Sequence, residues 1–108
     1  MEINGPERRS LAQNMTLEDF FIHVATDIER QLKEWDIDYE VMVMKLEDYE
    51  FIVKYHEAYC EISFSENIIK TLQRKDPYEI DRKIWKELQN KGISIVKGKG
   101  NYIDFIMW

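Results

Sequence analysis

The sequence predicts an α+β fold with the element order α-β-β-β-α-α-β-β, in which helices cover one face of an antiparallel sheet of about five strands. Three observations carry this prediction. Apolar residues recur at helical spacing over residues 17–35 and again over 80–88. Segments rich in β-branched and aromatic residues lie between these two stretches. The connections between those segments are too short for the crossovers that parallel strands require.

The first predicted helix begins after Thr16 and runs to about Trp35. Thr16 is a favourable N-cap, and the acids that follow it suit the positive end of the helix dipole. The polar face of this helix is expected to carry Glu18, Asp27 and Arg30. Residues 1–15 are polar and lack a clear period, so we expect a flexible tail at 1–15 and a single domain at 16–108. The apolar face consists of Leu17, Phe20, Phe21, Val24, Ile28, Leu32 and Trp35.

Three strands are expected next, at residues 39–46, 50–55 and 59–64. Each is rich in β-branched and aromatic residues, and apolar side chains alternate along it. Glu47-Asp48 and His56-Glu57 leave room only for tight turns. The three strands should therefore form an antiparallel meander.

Two further helices follow the strands. Ser65 can cap a short helix, and Asp76 can cap a second one with Pro77 in the first helical position. Gly92 is positioned to end that second helix in the left-handed conformation that glycine adopts readily. These signals predict a helix–helix pair between the meander and the end of the chain.

A last hairpin is expected from strands at 93–96 and 102–108, joined by a glycine-containing turn at 97–101. Together with the meander it would complete a five-stranded sheet. The predicted core consists of Phe20, Val24, Ile28, Leu32, Val41, Val43, Val53, Ile62, Ile84, Leu88 and Ile95.

Composition indicates an ordinary folded chain, because 44% of its 108 residues are hydrophobic and 33% are charged. The lone Cys60 rules out an internal disulfide, which fits a reducing compartment. No apolar run approaches the roughly 20 residues of a membrane span, and the polar N-terminus does not resemble a secretory signal. We therefore expect a cytoplasmic protein without a membrane partner.

Residues that suit catalysis are scarce. His23 lies beside the apolar face of the first helix, as surface or boundary histidines commonly do. His56 and Cys60 could meet across a hairpin and, with carboxylates, hold a metal ion, but a turn with a buried thiol is the favoured interpretation. No nucleophile–base pair with an orienting acid can be assembled from the sequence. We expect no enzymatic activity, no metal and no cofactor.

Residues 76–105 combine a capped helix, the cap Gly92, a short strand, a basic glycine turn and a second strand. This order resembles the last helix and wing of winged-helix DNA-binding domains. The resemblance implies a helix in the major groove and a wing on the phosphate backbone. It makes nucleic-acid binding the alternative hypothesis, with contacts from Arg82, Lys83, Lys86, Lys97 and Lys99.

Charge is divided by region. Residues 34–66 contain ten acids and two bases, whereas residues 67–108 contain nine bases and five acids. The acidic block coincides with the expected meander. It is either a solvated sheet face or a docking surface for a basic partner, whose approach negative potential accelerates. The leading hypothesis is an interaction or regulatory protein that binds a basic protein through Asp36, Asp38, Glu40, Glu47, Asp48 and Glu50.

Overall fold

A computed structural model describes the backbone of residues 5–96 and 102–107, and the side chains of residues 8–96 and 102–107. The α+β class is confirmed: this part of the chain forms five helices and one antiparallel sheet of three strands. In chain order the elements are α1 (Gly5–Asn14), α2 (Leu17–Trp35), β1 (Tyr39–Lys45), β2 (Tyr49–Tyr55), β3 (Ala58–Phe64), α3 (Glu66–Lys75), α4 (Glu79–Asn90) and α5 (Tyr102–Met107).

The first long helix, α2, agrees with its prediction at both ends. The Thr16 side chain accepts a hydrogen bond from the Asp19 amide at 3.2 Å, which satisfies one of the free N–H groups of the first turn. One predicted polar position is wrong. Asp27 lies three residues after Val24 and shares its buried side of the helix, with only 8% of Asp27 exposed.

The three strands form a meander in the order β1-β2-β3. Their inner face packs against the helices and contains the buried side chains Tyr49, Phe51, Val53, Ile62 and Phe64. The register pairs Met42 with Ile52, and Ile52 with Glu61. Side chains point alternately to the two faces of the sheet, so the residues between the inner-face positions form the other face. This outer face consists of Glu40, Met42, Met44, Glu50, Ile52, Lys54, Tyr59, Glu61 and Ser63.

The core lies between α2, α4 and the inner face of the sheet. Eight of the predicted core residues are buried, whereas Val41, Val43 and Ile95 are partly buried and pack against the rest. Phe21 joins the helical and sheet layers, since its ring lies 5.7 Å from the rings of both Tyr49 and Phe64. The eight buried positions are Phe20, Val24, Ile28, Leu32, Val53, Ile62, Ile84 and Leu88.

The predicted C-terminal hairpin is wrong. Residues 93–96 are neither strand nor helix, and Tyr102–Met107 is the helix α5. Tyr102, Ile103 and Ile106 are buried, at a spacing that fits one side of a helix. Their composition favours a strand, but packing against α4 decides the outcome. The turn predicted at 97–101 and the last residue, Trp108, lie outside the described residues.

Residues 5–14, which the sequence assigns to a flexible tail, form the helix α1. The helix has little apolar periodicity, so its amphipathic pattern gives no indication of it. Its position is determined instead by Arg8, whose residue surface is only 3% exposed and whose guanidinium contacts carboxylates of α2 and α4. The N-terminal segment is therefore part of the folded structure from Gly5 onward.

The start of α4 differs slightly from its prediction. The helix begins at Glu79, and no side chain caps it directly. The Asp76 carboxylate instead accepts a hydrogen bond from the Tyr78 amide at 2.8 Å. Pro77 therefore lies in the turn before the helix, as its fixed φ angle allows.

The end of α4 agrees with the sequence. Gly92 has a φ angle of 101°, the Gly92 amide donates to the Gln89 carbonyl, and the Ile93 amide donates to the Leu88 carbonyl. These are the two hydrogen bonds of a Schellman motif, in which glycine avoids the strain that a Cβ atom would create.

Replacing Gly92 with alanine is expected to lower the free energy of unfolding by about 1–2 kcal/mol. A Cβ atom there would meet nothing within 4 Å, so the cost is conformational and not steric crowding by neighbours. Gly92→Asn should cost less, because asparagine tolerates the left-handed conformation. Urea denaturation of the three proteins measures this order; equal stability of all three would contradict it.

Candidate functional site

The six acids predicted to bind a partner are distributed around the sheet. They are Asp36 and Asp38 in the α2–β1 turn, Glu47 and Asp48 in the β1–β2 turn, and Glu40 and Glu50 on the outer face. Because β1 and β2 are seven residues long, the two turns lie roughly 20 Å apart. The structure therefore does not bring the six together as one cluster.

The outer face has an apolar centre that the sequence analysis did not identify. Met42 is 43% exposed and Met44 is 46% exposed, and the partly buried Ile52 lies beside Met42 across the strand pair. Carboxylates surround these three apolar side chains. One of them is Glu61, which lies beside Ile52 on β3. The alternation that predicts the strands also predicts which residues lie on this face. A count of the acids in the segment, however, gives no indication that methionines are exposed at its centre.

Two acids on or near the outer face have local partners. The Asp38 carboxylate lies 3.5 Å from the imidazole of His56, and both side chains are more than half exposed. The Glu50 carboxylate accepts a hydrogen bond from the Ser63 hydroxyl across β2 and β3. Solvent screens such exposed contacts, so these carboxylates still contribute negative potential to the surface.

His56 and Cys60 do not form part of a metal centre in the described structure. His56 occupies the β2–β3 turn with a φ angle of 56° and is exposed, whereas Cys60 is half-buried on β3. Within residues 8–96 and 102–107, no group of three or more candidate ligands lies close enough to hold a metal ion. Burial raises the pKa of the Cys60 thiol, which disfavours the reactive thiolate.

The basic residues of the nucleic-acid hypothesis are partly offset by acids. Arg82 pairs with Asp76 at 3.2 Å and with Glu79 at 3.5 Å. Lys83 lies 4.0 Å from Glu87, one turn along the same helix. Lys86 is exposed, whereas Lys97 and Lys99 lie outside the described residues. Without the predicted strand at 102–108, the part that resembles a wing is lost.

A cleft of about 500 Å³ lies where the inner sheet face extends past the end of α2. One wall is the end of α2, and the opposite wall is the segment that follows α4, residues 91–96. The base is formed by the inner-face residues nearest the β2–β3 turn. The cleft residues important for the site are Trp35, Asp36, Tyr39, Tyr55, Tyr59 and Lys91.

The aromatic rings of the cleft are held by contacts with one another and with the core. Trp35 meets the buried Trp85 edge to face, with ring centroids 5.6 Å apart. The rings of Tyr39 and Tyr55 are 4.5 Å apart and only 31° from parallel. Such contacts restrict the side chains before any ligand binds, which lowers the entropic cost of binding.

Asp36 gives the cleft a fixed negative charge. Its carboxylate accepts a hydrogen bond from the Tyr55 hydroxyl at 2.5 Å and another from the Asp38 amide at 3.0 Å. The bond from Tyr55 is the main cause that lowers the pKa of Asp36, and the same bond raises the pKa of Tyr55 to about 12. At neutral pH the pair is therefore a carboxylate beside a neutral phenol.

A second polar group is buried between the helices. The Arg8 guanidinium donates to both Asp81 oxygens, at 3.1 and 2.9 Å, and to Asp27 at 3.0 Å. The Tyr102 hydroxyl donates to Asp81 at 2.5 Å and accepts a hydrogen bond from the Trp85 indole at 3.1 Å. This Arg8 network connects α1, α2, α4 and α5.

The Arg8 network is shielded from solvent, since Arg8 and Asp81 are 3% and 0% exposed. Its chemistry is therefore structural: it fixes the two terminal helices to the centre of the fold. One signal in the sequence indicates it. Asp81 precedes Ile84 by three residues and Trp85 by four, so a carboxylate lies on the apolar side of α4.

Among the described helices, none combines the length and the apolar character that a membrane span needs. No protein-family model, curated protein sequence or solved structure matches this chain.

Proposed function

We propose that this chain is a non-enzymatic interaction protein that binds a basic protein partner through the outer face of its sheet. The observation that carries the proposal is the composition of that face. An apolar centre of Met42, Met44 and Ile52 lies among carboxylates, and both methionines are more than 40% exposed. Flexible, polarizable methionine side chains are common at surfaces that adapt to a partner.

Charge favours a basic partner over an acidic one. Glu40, Glu50 and Glu61 lie on the outer face with Lys54 as its one basic residue. Glu47 and Asp48 add negative charge at one end of the sheet. Such a potential speeds the encounter with a basic surface, while the apolar centre supplies area for burial.

The partner is expected to cover the face rather than to add a strand beside β1. The Glu29 carboxylate of α2 accepts a hydrogen bond from the Val41 amide at 2.9 Å, so a side chain already occupies this edge group. Occupied edge groups disfavour strand addition. A basic segment that is apolar on one side, placed across the strands, fits both the charge and the methionines.

Neutralising the outer face should weaken binding of the basic partner at least about tenfold at low salt and reduce its salt dependence. The variant is Glu40→Gln/Glu50→Gln/Glu61→Gln, which keeps the shape of each side chain. Wild type and variant are immobilised and used to capture proteins from nuclease-treated extract of the native cell. Quantitative mass spectrometry at low and high salt then identifies basic proteins retained by the wild type, and each is titrated as a purified protein.

The matched control is Glu18→Gln/Asp19→Asn/Glu66→Gln, which removes the same charge from exposed positions outside the outer face. It should retain the captured partners. If the outer-face variant binds each purified partner as tightly as the control does, or if the wild type retains no basic protein, the proposal is wrong.

A further inference from the structure

We infer that the cleft at the end of α2 receives an arginine side chain of the basic partner. This inference rests on the proposed function and adds the chemistry of one anchoring contact. The cleft has a volume of about 500 Å³, enough for a long side chain, and its lining combines aromatic rings with a carboxylate. Buried arginine anchors are frequent among the residues that dominate binding at protein interfaces.

The aromatic lining favours a cation with a flat, weakly hydrated surface. The faces of tryptophan and tyrosine rings attract positive charge, and arginine stacks on them more often than lysine does. Trp35, Tyr39 and Tyr55 are among the lining residues, and Tyr59 borders the cleft on the side of the outer face. A guanidinium group also keeps its in-plane N–H donors free for hydrogen bonds while its faces contact the rings.

Asp36 supplies the acceptor for such donors. Each carboxylate oxygen has two acceptor positions, and the bonds from Tyr55 and from the Asp38 amide use one position on each oxygen. The remaining positions can accept from a guanidinium, in the charge-assisted geometry that arginine forms with carboxylates. Asp36 is therefore already oriented by Tyr55 for this contact.

Lys91 lies in the wall formed by the segment after α4, and its positive charge would repel a cation in the cleft. Its side chain is exposed, so its flexible stem can place the ammonium in solvent. Asp36 is the carboxylate among the lining residues of the cleft. A single carboxylate suits an occupant with one cationic group, which one arginine side chain provides.

The cleft is continuous with the outer face through Tyr59. The Tyr59 side chain is 64% exposed and lies beside Lys54 on the outer face, and the residue also borders the cleft. A partner segment lying across the outer face can therefore turn around the β2–β3 end of the sheet and place one side chain in the cleft.

The test uses a small probe and the full chain. Nα-acetyl-arginine amide is titrated into ¹⁵N-labelled protein, and Nα-acetyl-citrulline amide serves as its neutral counterpart of nearly equal shape. We expect arginine-dependent shifts of the Trp35 indole N–H and of the amides at 91–94. The dissociation constant of the citrulline probe should be at least about fivefold weaker. Equal binding of the two probes, or shifts confined to the outer face, would overturn the inference.

Three variants locate the binding. Asp36→Asn should weaken the arginine probe about fivefold or more, and Tyr55→Phe should weaken it less, since it removes only the group that orients Asp36. Asp19→Asn removes the same charge from an exposed position in the first turn of α2, at the opposite end of that helix from the cleft, and should leave probe binding unchanged. If Asp36→Asn binds the probe as the wild type does, the inference is wrong.

The outcomes separate this inference from the proposed function. The variant Glu40→Gln/Glu50→Gln/Glu61→Gln should still bind the arginine probe. If partner capture depends on the outer face while the probe does not bind, only the arginine site is refuted. If the probe binds the cleft but the outer-face variant captures the same partners as the wild type, the proposed function is wrong. The cleft is then an arginine site that does not depend on that function.

Discussion

Replacing Arg8 with alanine is expected to lower the free energy of unfolding by about 3–5 kcal/mol at pH 8. The guanidinium is the nearest cation to two carboxylates, with 2.9 Å to Asp81 and 3.0 Å to Asp27. Removing it leaves the Asp81 carboxyl, which is 0% exposed, without a counter-charge, so folding at pH 8 requires either a buried unpaired charge or the uptake of a proton. A buried charge without its partner costs more than the intact pair contributes, because water no longer solvates it.

The loss should also include packing energy. The Arg8 guanidinium lies 4.6 Å from the centre of the Tyr78 ring and 5.6 Å from that of Phe20. Alanine would leave a cavity between α1, α2 and α4 that the surrounding side chains fill only in part. Arg8→Met restores much of the volume without the charge, so the difference between the two variants separates packing from electrostatics.

Arg9→Ala is the matched control, because Arg9 is exposed on the same helix. It should change stability by no more than about 0.5 kcal/mol. Guanidinium chloride denaturation followed by tryptophan fluorescence measures all three variants. A loss below about 1 kcal/mol for Arg8→Ala would mean that α1 contributes little to the stability of the folded chain.

The part of the fold that the sequence predicts is the part with strong periodicity. The α2 helix, from its Thr16 cap to Trp35, and the meander both combine a clear hydrophobic period with suitable capping or turn residues. Helix α5 shows where this reasoning fails. The composition of its six residues favours a strand, and contacts with α4 select the helix instead.

Helix α1 was missed for another reason: its stabilising residue is charged. Arg8 is buried because Asp27 and Asp81 lie opposite it, 19 and 73 positions away in the chain. Local propensity contains no information about contacts at such separations. Of the candidate site, the acids of the meander are apparent from the sequence. The cleft depends on how the segment after α4 lies against the sheet, and sequence spacing does not reveal that.

The wild-type protein is expected to lose stability as the pH rises from about 5 to about 7. Burial is the main cause that raises the pKa of Asp81 to about 7, against an opposite influence from Arg8 and the Tyr102 hydroxyl. The negative charge of Asp27 also raises this pKa, since both carboxylates lie within 3.0 Å of the same guanidinium. In the unfolded chain an aspartate has a pKa of about 3.9.

The sign follows from proton binding. Between about pH 4 and pH 7 folded Asp81 holds a proton that the unfolded chain has released, so raising the pH favours unfolding. One such proton gives a slope of at most about 1.4 kcal/mol per pH unit. The stability that Asp81 contributes in this way is fully present below the pKa of aspartate in the unfolded chain. It is lost as the pH rises through the pKa of Asp81 in the folded chain.

Urea denaturation at intervals from pH 5 to pH 8 measures this slope, and Asp81→Asn identifies its source. The amide keeps the shape of the carboxyl but cannot titrate, so the variant should lose most of the slope whatever its absolute stability. Arg8→Ala should act in the opposite sense, since without the guanidinium the pKa of Asp81 rises further and the pH-dependent loss extends above pH 7. If Asp81→Asn retained the wild-type slope, another group would be responsible for it. The Arg8 network would then hold Asp81 ionised throughout this range.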